Sequence, residues 1–283
     1  MSAGSELLKR AIRYAVPRAA RNWLRSPRKS AEWLWDSTKY SAGYTETLRL
    51  APTISILLHP HAARHAHAAQ LGDPGQSAEF EHFIRQCNDR MVLFDIGAHY
   101  GLFSLIAAAR GAKVTAVEPS PIAVQMIKRH IALNRGKPNV RVIQAAVSDA
   151  GGRMQMLSSG IFSEGYFRLV TGRPSRELTE VRAMTVDELT SEFGAPTHIK
   201  IDVEGHEAAA VRGARETLAR FAPRLFLELH NELIRADGGN PRETLEELRR
   251  VGYEALAFDG RRLTDNEILE ESIIRVVAAT KLA

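Results

Sequence analysis

At 283 residues and 45% hydrophobic content, the chain is long enough for one large α/β domain with an appendage. Cys87 is the only cysteine, which excludes an internal disulfide and makes a cytosolic setting the default expectation, with the thiol read as a buried small hydrophobe. No apolar run reaches the roughly 18 residues of a membrane-spanning helix. The net charge of +5 does not describe a general nucleic-acid-binding surface, because eight basic residues stand against Glu6 alone in residues 1–30 and the remainder is close to neutral.

That basic arm places Leu8, Ile12, Ala15, Ala19 and Trp23 at helical spacing, which predicts an amphipathic helix kinked near Pro17. Three roles compete for it: packing its apolar stripe on the domain, lying on anionic lipid, or meeting an acidic partner. Packing is favoured, since a cationic outer face is ordinarily just solvated. Arginines interrupt any apolar segment that a secretory signal would need. Residues 1–80 read as a mainly helical extension, with Trp23, Trp33 and Trp35 forming a docking surface, and residues 81–283 as the main domain. His59, His61, His65 and His67 fall within nine residues, but the second pair of ligands that zinc ordinarily takes is missing. Gly72-Asp73-Pro74-Gly75 breaks the chain before a short helix over Ala78 to Arg85.

From residue 91 strands and helices alternate, which predicts a doubly wound, mostly parallel sheet. Its first strand runs into Asp95-x-Gly97-x-x-x-Gly101 and then into a helix over Leu102 to Arg110. Glycine lets a chain turn tightly and lets a ligand lie on bare backbone, so the loop predicts a nucleotide cofactor, with Ala98 beside the glycines. A dinucleotide fingerprint would want G-x-G-x-x-G, whereas here Tyr100 fills the space ahead of the helix. That suits a cofactor without a pyrophosphate, such as S-adenosylmethionine. Close packing without a ligand is the competing explanation of both glycines.

Val114 to Val117 reads as the second strand, ending in Glu118, where a carboxylate can accept both ribose hydroxyls. Ser120 and Pro121 cap the next helix, which ends near Gly136, and Val140 to Ile143 is the third strand. Ala145 to Asp149, with Ala146 at its centre, follows where an adenine edge would lie. Residues 150–184 break the rhythm as an insertion or hairpin: strand pieces at Met154 to Leu157 and Val181 to Met184 flank a loop over Ser158 to Tyr166. Thr185 to Glu188 forms a capping box. His198 to Asp202 is strand four, Glu207 to Arg220 a single helix, and Arg224 to Leu229 strand five. Asn240-Pro241 caps a further helix closed by Gly252. Tyr253 to Phe258 and Ile274 to Ala279 predict an antiparallel hairpin at the sheet edge, for a seven-stranded sheet with an antiparallel edge strand.

Asp202, Glu204, His206 and Glu207 crowd the end of strand four, and Glu228, His230 and Asn231 the end of strand five. Carboxylates there are costly unless paired or facing a cation, and a sulfonium is one. An alcohol acceptor must lose a proton. His206 is the first choice of general base and His230 the second, with Asp202 or Glu228 orienting either. The alternative is magnesium held by Asp202, Glu228 and Asn231, which is not favoured.

Five blocks carry a resemblance: Phe94-Asp95-Ile96-Gly97-Ala98-x-x-Gly101-x-Phe103-Ser104, Val117-Glu118-Pro119, Ala146-Val147-Ser148-Asp149, Ile199-Lys200-Ile201-Asp202-Val203-Glu204-Gly205-His206-Glu207, and Leu227-Glu228-x-His230. In this order, over about residues 85 to 235, the sequence resembles the FkbM-type family of S-adenosylmethionine-dependent methyltransferases. The resemblance implies a class I fold of seven strands and O-methylation of hydroxyls on small molecules, sugars or glycolipids. It also implies that Asp95, Gly97 and Gly101 line the cofactor and that Glu118 holds its ribose. His99-Tyr100 departs from the family, which often has Asn and a small or β-branched residue there.

A nicotinamide dehydrogenase is disfavoured by the missing third glycine and the lack of a Tyr-x-x-x-Lys pair. An amino-directed DNA methyltransferase would want an Asn- or Asp-Pro-Pro-aromatic segment, and none occurs. RNA methylation, a non-catalytic cofactor-binding protein and a membrane-peripheral role for the arm stay open, as does the oligomeric state.

Overall fold

Residues 27–51, 54–134, 139–157, 168–169 and 178–280 are described by a computed structural model. The arm from Leu8 to Trp23 and the loop from Ser158 to Tyr166 lie outside these residues. Helix α1 (Pro27–Ser41) leads into a hairpin of β1 (Glu46–Ala51) and β2 (Ile54–Leu58), then α2 (Pro60–Gly72) and α3 (Pro74–Gln86). The hairpin is a departure from the helical reading of this stretch. Ile54, Ile56 and Leu58 are buried at every second position, a period that belongs to a strand. At the break before α3, the Asp73 side chain accepts from the Gly75 and Gln76 amides at 2.9 and 3.2 Å, with Pro74 in the first turn.

The alternation that follows is β3 (Val92–Ile96), α4 (Leu102–Ala109), β4 (Lys113–Val117), α5 (Pro121–Leu133) and β5 (Val140–Ile143). The excursion is a separate small sheet of β6 (Ala146–Val147), β7 (Gly152–Leu157), β8 (Arg168–Leu169) and β9 (Leu178–Met184), followed by α6 (Val186–Phe193) on its expected capping box. Then come β10 (His198–Ile201), α7 (Glu207–Arg212), α8 (Arg215–Phe221), β11 (Arg224–Leu229), α9 (Asn231–Ala236), α10 (Arg242–Arg250), β12 (Tyr253–Leu256), α11 (Asp265–Leu269) and β13 (Ile274–Thr280).

Seven strands form the main sheet in the order β12-β13-β11-β10-β3-β4-β5. The five from β11 to β5 are parallel, and β13 runs against both of its neighbours. The expected antiparallel hairpin at the sheet edge is β12 with β13; within it β13, one place in from the edge, is the strand that opposes the rest. The single helix expected over Glu207 to Arg220 is two. Its break falls at Gly213, where a Cβ would overlap the Ser148 carbonyl, so the backbone there is pressed against the neighbouring loop. α9 was not anticipated.

Side chains alternate across the parallel strands and build one core on each face. Leu93, Val114, Phe226 and Val277 meet Leu105 and Ile106 of α4 on one face, together with Leu48, Ile54, Ile56, Leu58, Phe80 and Phe83 of the amino-terminal segment. Phe94, Ile96, Ile199, Ile201, Leu225 and Leu227 meet Val211, Leu218 and Leu248 on the other. Residue 80, where the extension was expected to end, lies inside α3 and in the first of these cores. A histidine pair ties the segment down as well. His130 Nδ1 lies 2.9 Å from the Tyr100 carbonyl, and its Nε2 accepts from the His59 amide at 3.1 Å.

Candidate active site

Strand order reverses at β3. Its neighbours β4 and β10 lead off in opposite directions, and a crevice opens beyond the carboxyl ends of all three. Gly97, Glu118 and Asp202 stand at those ends. Gly97 and Gly101 have φ of 78° and 80°, a region open to glycine at little cost. Packing also explains them, since a Cβ on Gly97 would overlap the Asp202 carbonyl and one on Gly101 would press on Ile127. The glycines alone do not report a ligand. Two cavities open beside Gly97.

A first cavity is walled by Val117, Pro119, Ala145, Ala146, Val147 and Met156, with Gly97, His99, Glu118, Asp202 and Glu204 supplying polar edges. A second lies on the side of the amino-terminal helices. There Ala62 and His65 of α2 and Gln76 and Phe80 of α3 face Asp95, Ala98, Tyr100 and Lys200. Gly97, His99 and Asp202 border both. Of the residues expected to bind cofactor, Gly97, Glu118, Ala146 and Asp202 therefore line the first cavity, and Asp95 and Ala98 the second. Gly101 lines neither. Asp95 is buried and accepts from Ser104 Oγ at 2.6 Å.

The Glu118 carboxylate accepts the His99 and Ser120 amides at 2.8 and 2.9 Å. Burial nevertheless pushes its pKa up to about 7. Around Asp202 the charges are dense. Lys200, fully buried over the Phe103 ring, reaches Asp202 at 3.1 Å and Glu79 and Glu228 at 3.9 Å. Burial pulls its ammonium towards neutrality, but Asp202, Glu79 and Glu228 outweigh that and hold its pKa above the ordinary lysine value. Arg275 reaches Glu228 at 2.7 Å and Glu79 at 3.6 Å. His230 Nδ1 lies 2.8 Å from Glu207, and its Nε2 3.6 to 3.9 Å from Glu228, Glu204 and Asp202. Six carboxylates, those of Glu79, Asp95, Asp202, Glu204, Glu207 and Glu228, thus surround three cations. Of the six, Asp95, Asp202 and Glu204 line the cavities.

His206 borders neither cavity; its Nε2 is 3.0 Å from Ser148 Oγ, because it ends the turn before α7 and faces the loop after β6. His230 opposes burial with the Glu207 hydrogen bond and the Asp202 charge, which raise its pKa to about 9 and favour the imidazolium. Asn231 Nδ2 donates to the Ile268 and Glu271 carbonyls, and its Oδ1 is buried without a hydrogen-bond partner. Ligand atoms of Asp202, Glu228 and His230 lie within 4.8 Å of one another, with Lys200 beside both carboxylates and Arg275 beside Glu228.

Glu204 is the member of the strand-four cluster to which the sequence assigned no role. It lines the first cavity, its Oε2 is buried without a hydrogen bond, and its backbone holds φ of 53°, a strained conformation for a non-glycine residue. Burial and the neighbouring carboxylates push its pKa up to about 7. Its place between Asp202 and Gly205 at the end of a buried strand was the available signal.

The ring charges are directly measurable. Burial lowers His59, His130 and His198 to about 4. From the unfolded value near 6.5 down to about 4 the unfolded chain therefore binds more protons at these rings, and their stabilisation is lost on acidification. Glu79, Glu118 and Glu204, raised to about 7, act oppositely, losing stabilisation as pH rises. Melting curves mix the two, so the test is NMR of the rings. His59, His130 and His198 should keep neutral imidazole shifts at pH 5 and His230 imidazolium shifts at pH 8; ordinary midpoints near 6.5 would refute the assignment.

A doubly wound sheet in this order, with a glycine turn after its first strand and a carboxylate after its second, defines the Rossmann-like class I methyltransferase fold. Residues 95–255, more than half of the chain, match the Methyltransferase FkbM domain, and the chain belongs to that family. It is similar to the hexuronic acid methyltransferase AglP of Haloferax volcanii, 26% identical over 137 residues, 48% of this chain and 54% of that one. It is also similar to the ribosomal protein L11 methyltransferase of Geotalea uraniireducens, 33% identical over 82 residues, 29% of this chain and 26% of that one. The chain thus spans between about a quarter and about half the length of these curated relatives. A crystal structure of methyltransferase FkbM from Methylobacillus flagellatus aligns at 17% identity with a TM-score of 0.44, covering 71% of this chain and 50% of that one.

Proposed function

We propose that the chain transfers a methyl group from S-adenosylmethionine to a hydroxyl oxygen of a small molecule or carbohydrate. The cofactor supplies a methyl carbon made electrophilic by its bond to a positive sulfur. The observation that carries the reading is the pair of cavities meeting at Gly97, His99 and Asp202. The apolar walls of the first suit an adenine, with Glu118 at the edge to accept ribose hydroxyls. Lys200, Asp95 and Asp202 offer the second cavity a cation for a carboxylate and anions for an ammonium, as an amino-acid tail requires. The carboxylate surplus favours a sulfonium over a neutral sulfur.

Transfer forms an oxygen–carbon bond and breaks the sulfur–carbon bond, whose electron pair stays on sulfur. The hydroxyl proton would go to the Glu204 carboxylate, whose ionised form His230, 3.8 Å away, favours against the burial that raises its pKa. Similarity to a hexuronic acid methyltransferase supports a sugar as the acceptor.

Calorimetric titration with S-adenosylmethionine tests the cofactor half. Glu118→Gln should weaken binding by about 10- to 100-fold, the worth of one or two hydrogen bonds to a charged group. No heat of binding to the folded wild-type chain would end the reading. Incubating the chain and methyl-labelled cofactor with a cell extract tests the other half: mass spectrometry should place the label on oxygen, and a label on nitrogen would redirect it.

A further inference from the structure

We propose that α1 and the turn after it form a docking face for an anionic lipid surface. Large apolar side chains are exposed at few described positions, and three of them, Leu34 at 52%, Trp35 at 61% and Tyr44 at 52%, fall within eleven residues. Trp35 and Tyr44 form one patch, for Lys39 Nζ sits 5.5 Å from the ring centroids of both, and Leu34 is exposed next to Trp35 in the helix. The opposite side of α1 is spoken for. Asp36 is buried and held by Arg64 at 2.8 Å, Glu32 turns to the same arginine, and Trp33 packs edge-on against His61. The acidic residues of α1 thus point to α2 and away from the patch.

The occupant follows from charge and side-chain type. Residues 1–30, which lead into and begin α1, carry eight Lys and Arg against one Glu, so an anionic partner is called for. Tryptophan and tyrosine with a lysine between them present an apolar body and a polar rim, the composition that settles between headgroups and acyl chains. Leu34 adds apolar area that a nucleic acid would leave unused. Apolar burial together with a cluster of basic residues gives the two-part attachment that reversible membrane binding requires.

The test is co-sedimentation of the full chain with vesicles of phosphatidylcholine, alone or mixed with phosphatidylglycerol. The chain should pellet with the mixed vesicles only, and less so as salt is raised. Leu34→Ser/Trp35→Ser, at two exposed positions, should melt as the wild type does and need about tenfold more lipid for half-pelleting. Pelleting that ignores phosphatidylglycerol, or that the double variant leaves unchanged, overturns the proposal. So does a failure to pellet accompanied by tight binding of a single-stranded RNA oligonucleotide, or by a dimer that the double variant dissolves.

Discussion

Glu204→Gln is expected to slow methyl transfer by about 10²- to 10⁴-fold, the usual contribution of a positioned general base. Glutamine keeps the volume and removes the only change that matters, the ability to take a proton. Calorimetry on the same variant should give an S-adenosylmethionine affinity within about tenfold of wild type, because Glu118 and the apolar walls stay in place. The wild-type profile has a definite sign as well. A base must be ionised to act, so with the Glu204 pKa raised to about 7, turnover should fall as pH drops through that value. Normal turnover by Glu204→Gln would return the role to another group. His206, whose Nε2 lies 3.0 Å from Ser148 Oγ, is the first to examine, by His206→Ala.

The second large effect is on stability. Lys200→Met removes the central cation from among Asp202, Glu79, Glu228 and Asp95, and leaves buried carboxylates facing one another. Breaking a buried ion pair from one side costs about 3–5 kcal/mol. In a protein of this size that corresponds to a melting temperature lower by roughly 10 °C. The penalty should grow from pH 5 to pH 8, because the stranded carboxylates can escape by staying protonated only at the lower pH. A melting temperature within about 2 °C of wild type at pH 8 would show that the cluster is hydrated and the lysine dispensable.

Much of the sheet was legible because its code is local. Leu93 and Phe94 belong to opposite cores, as do Phe226 and Leu227, and an apolar run closed by glycine or a capping serine announces such a strand without knowledge of its neighbours. The two carboxyl-end carboxylates, Glu118 and Asp202, could be located for the same reason: each sits where a run of buried residues stops. What stayed hidden was set by contacts far along the chain. The break at Gly213 comes from Ser148, the charge on His230 from Glu207 and Asp202, and the turn of Asn231 from carbonyls near residue 270. Ile54 to Leu58 is too short a stretch to tell a strand from a helix until its partner Glu46 to Ala51 is known. His206 looked like a base because imidazole chemistry is written in the residue type, whereas the direction of a ring is not.

The position of β13 has a consequence for synthesis. β12 finds its ladder only on β13, and β11 keeps one side bare until β13 arrives. Emerging from a ribosome, the chain can assemble its central strands early, yet it must carry an open hydrogen-bonding rim until Thr280 is free. That rim is where premature association with another nascent chain would begin, and β13 is what seals it.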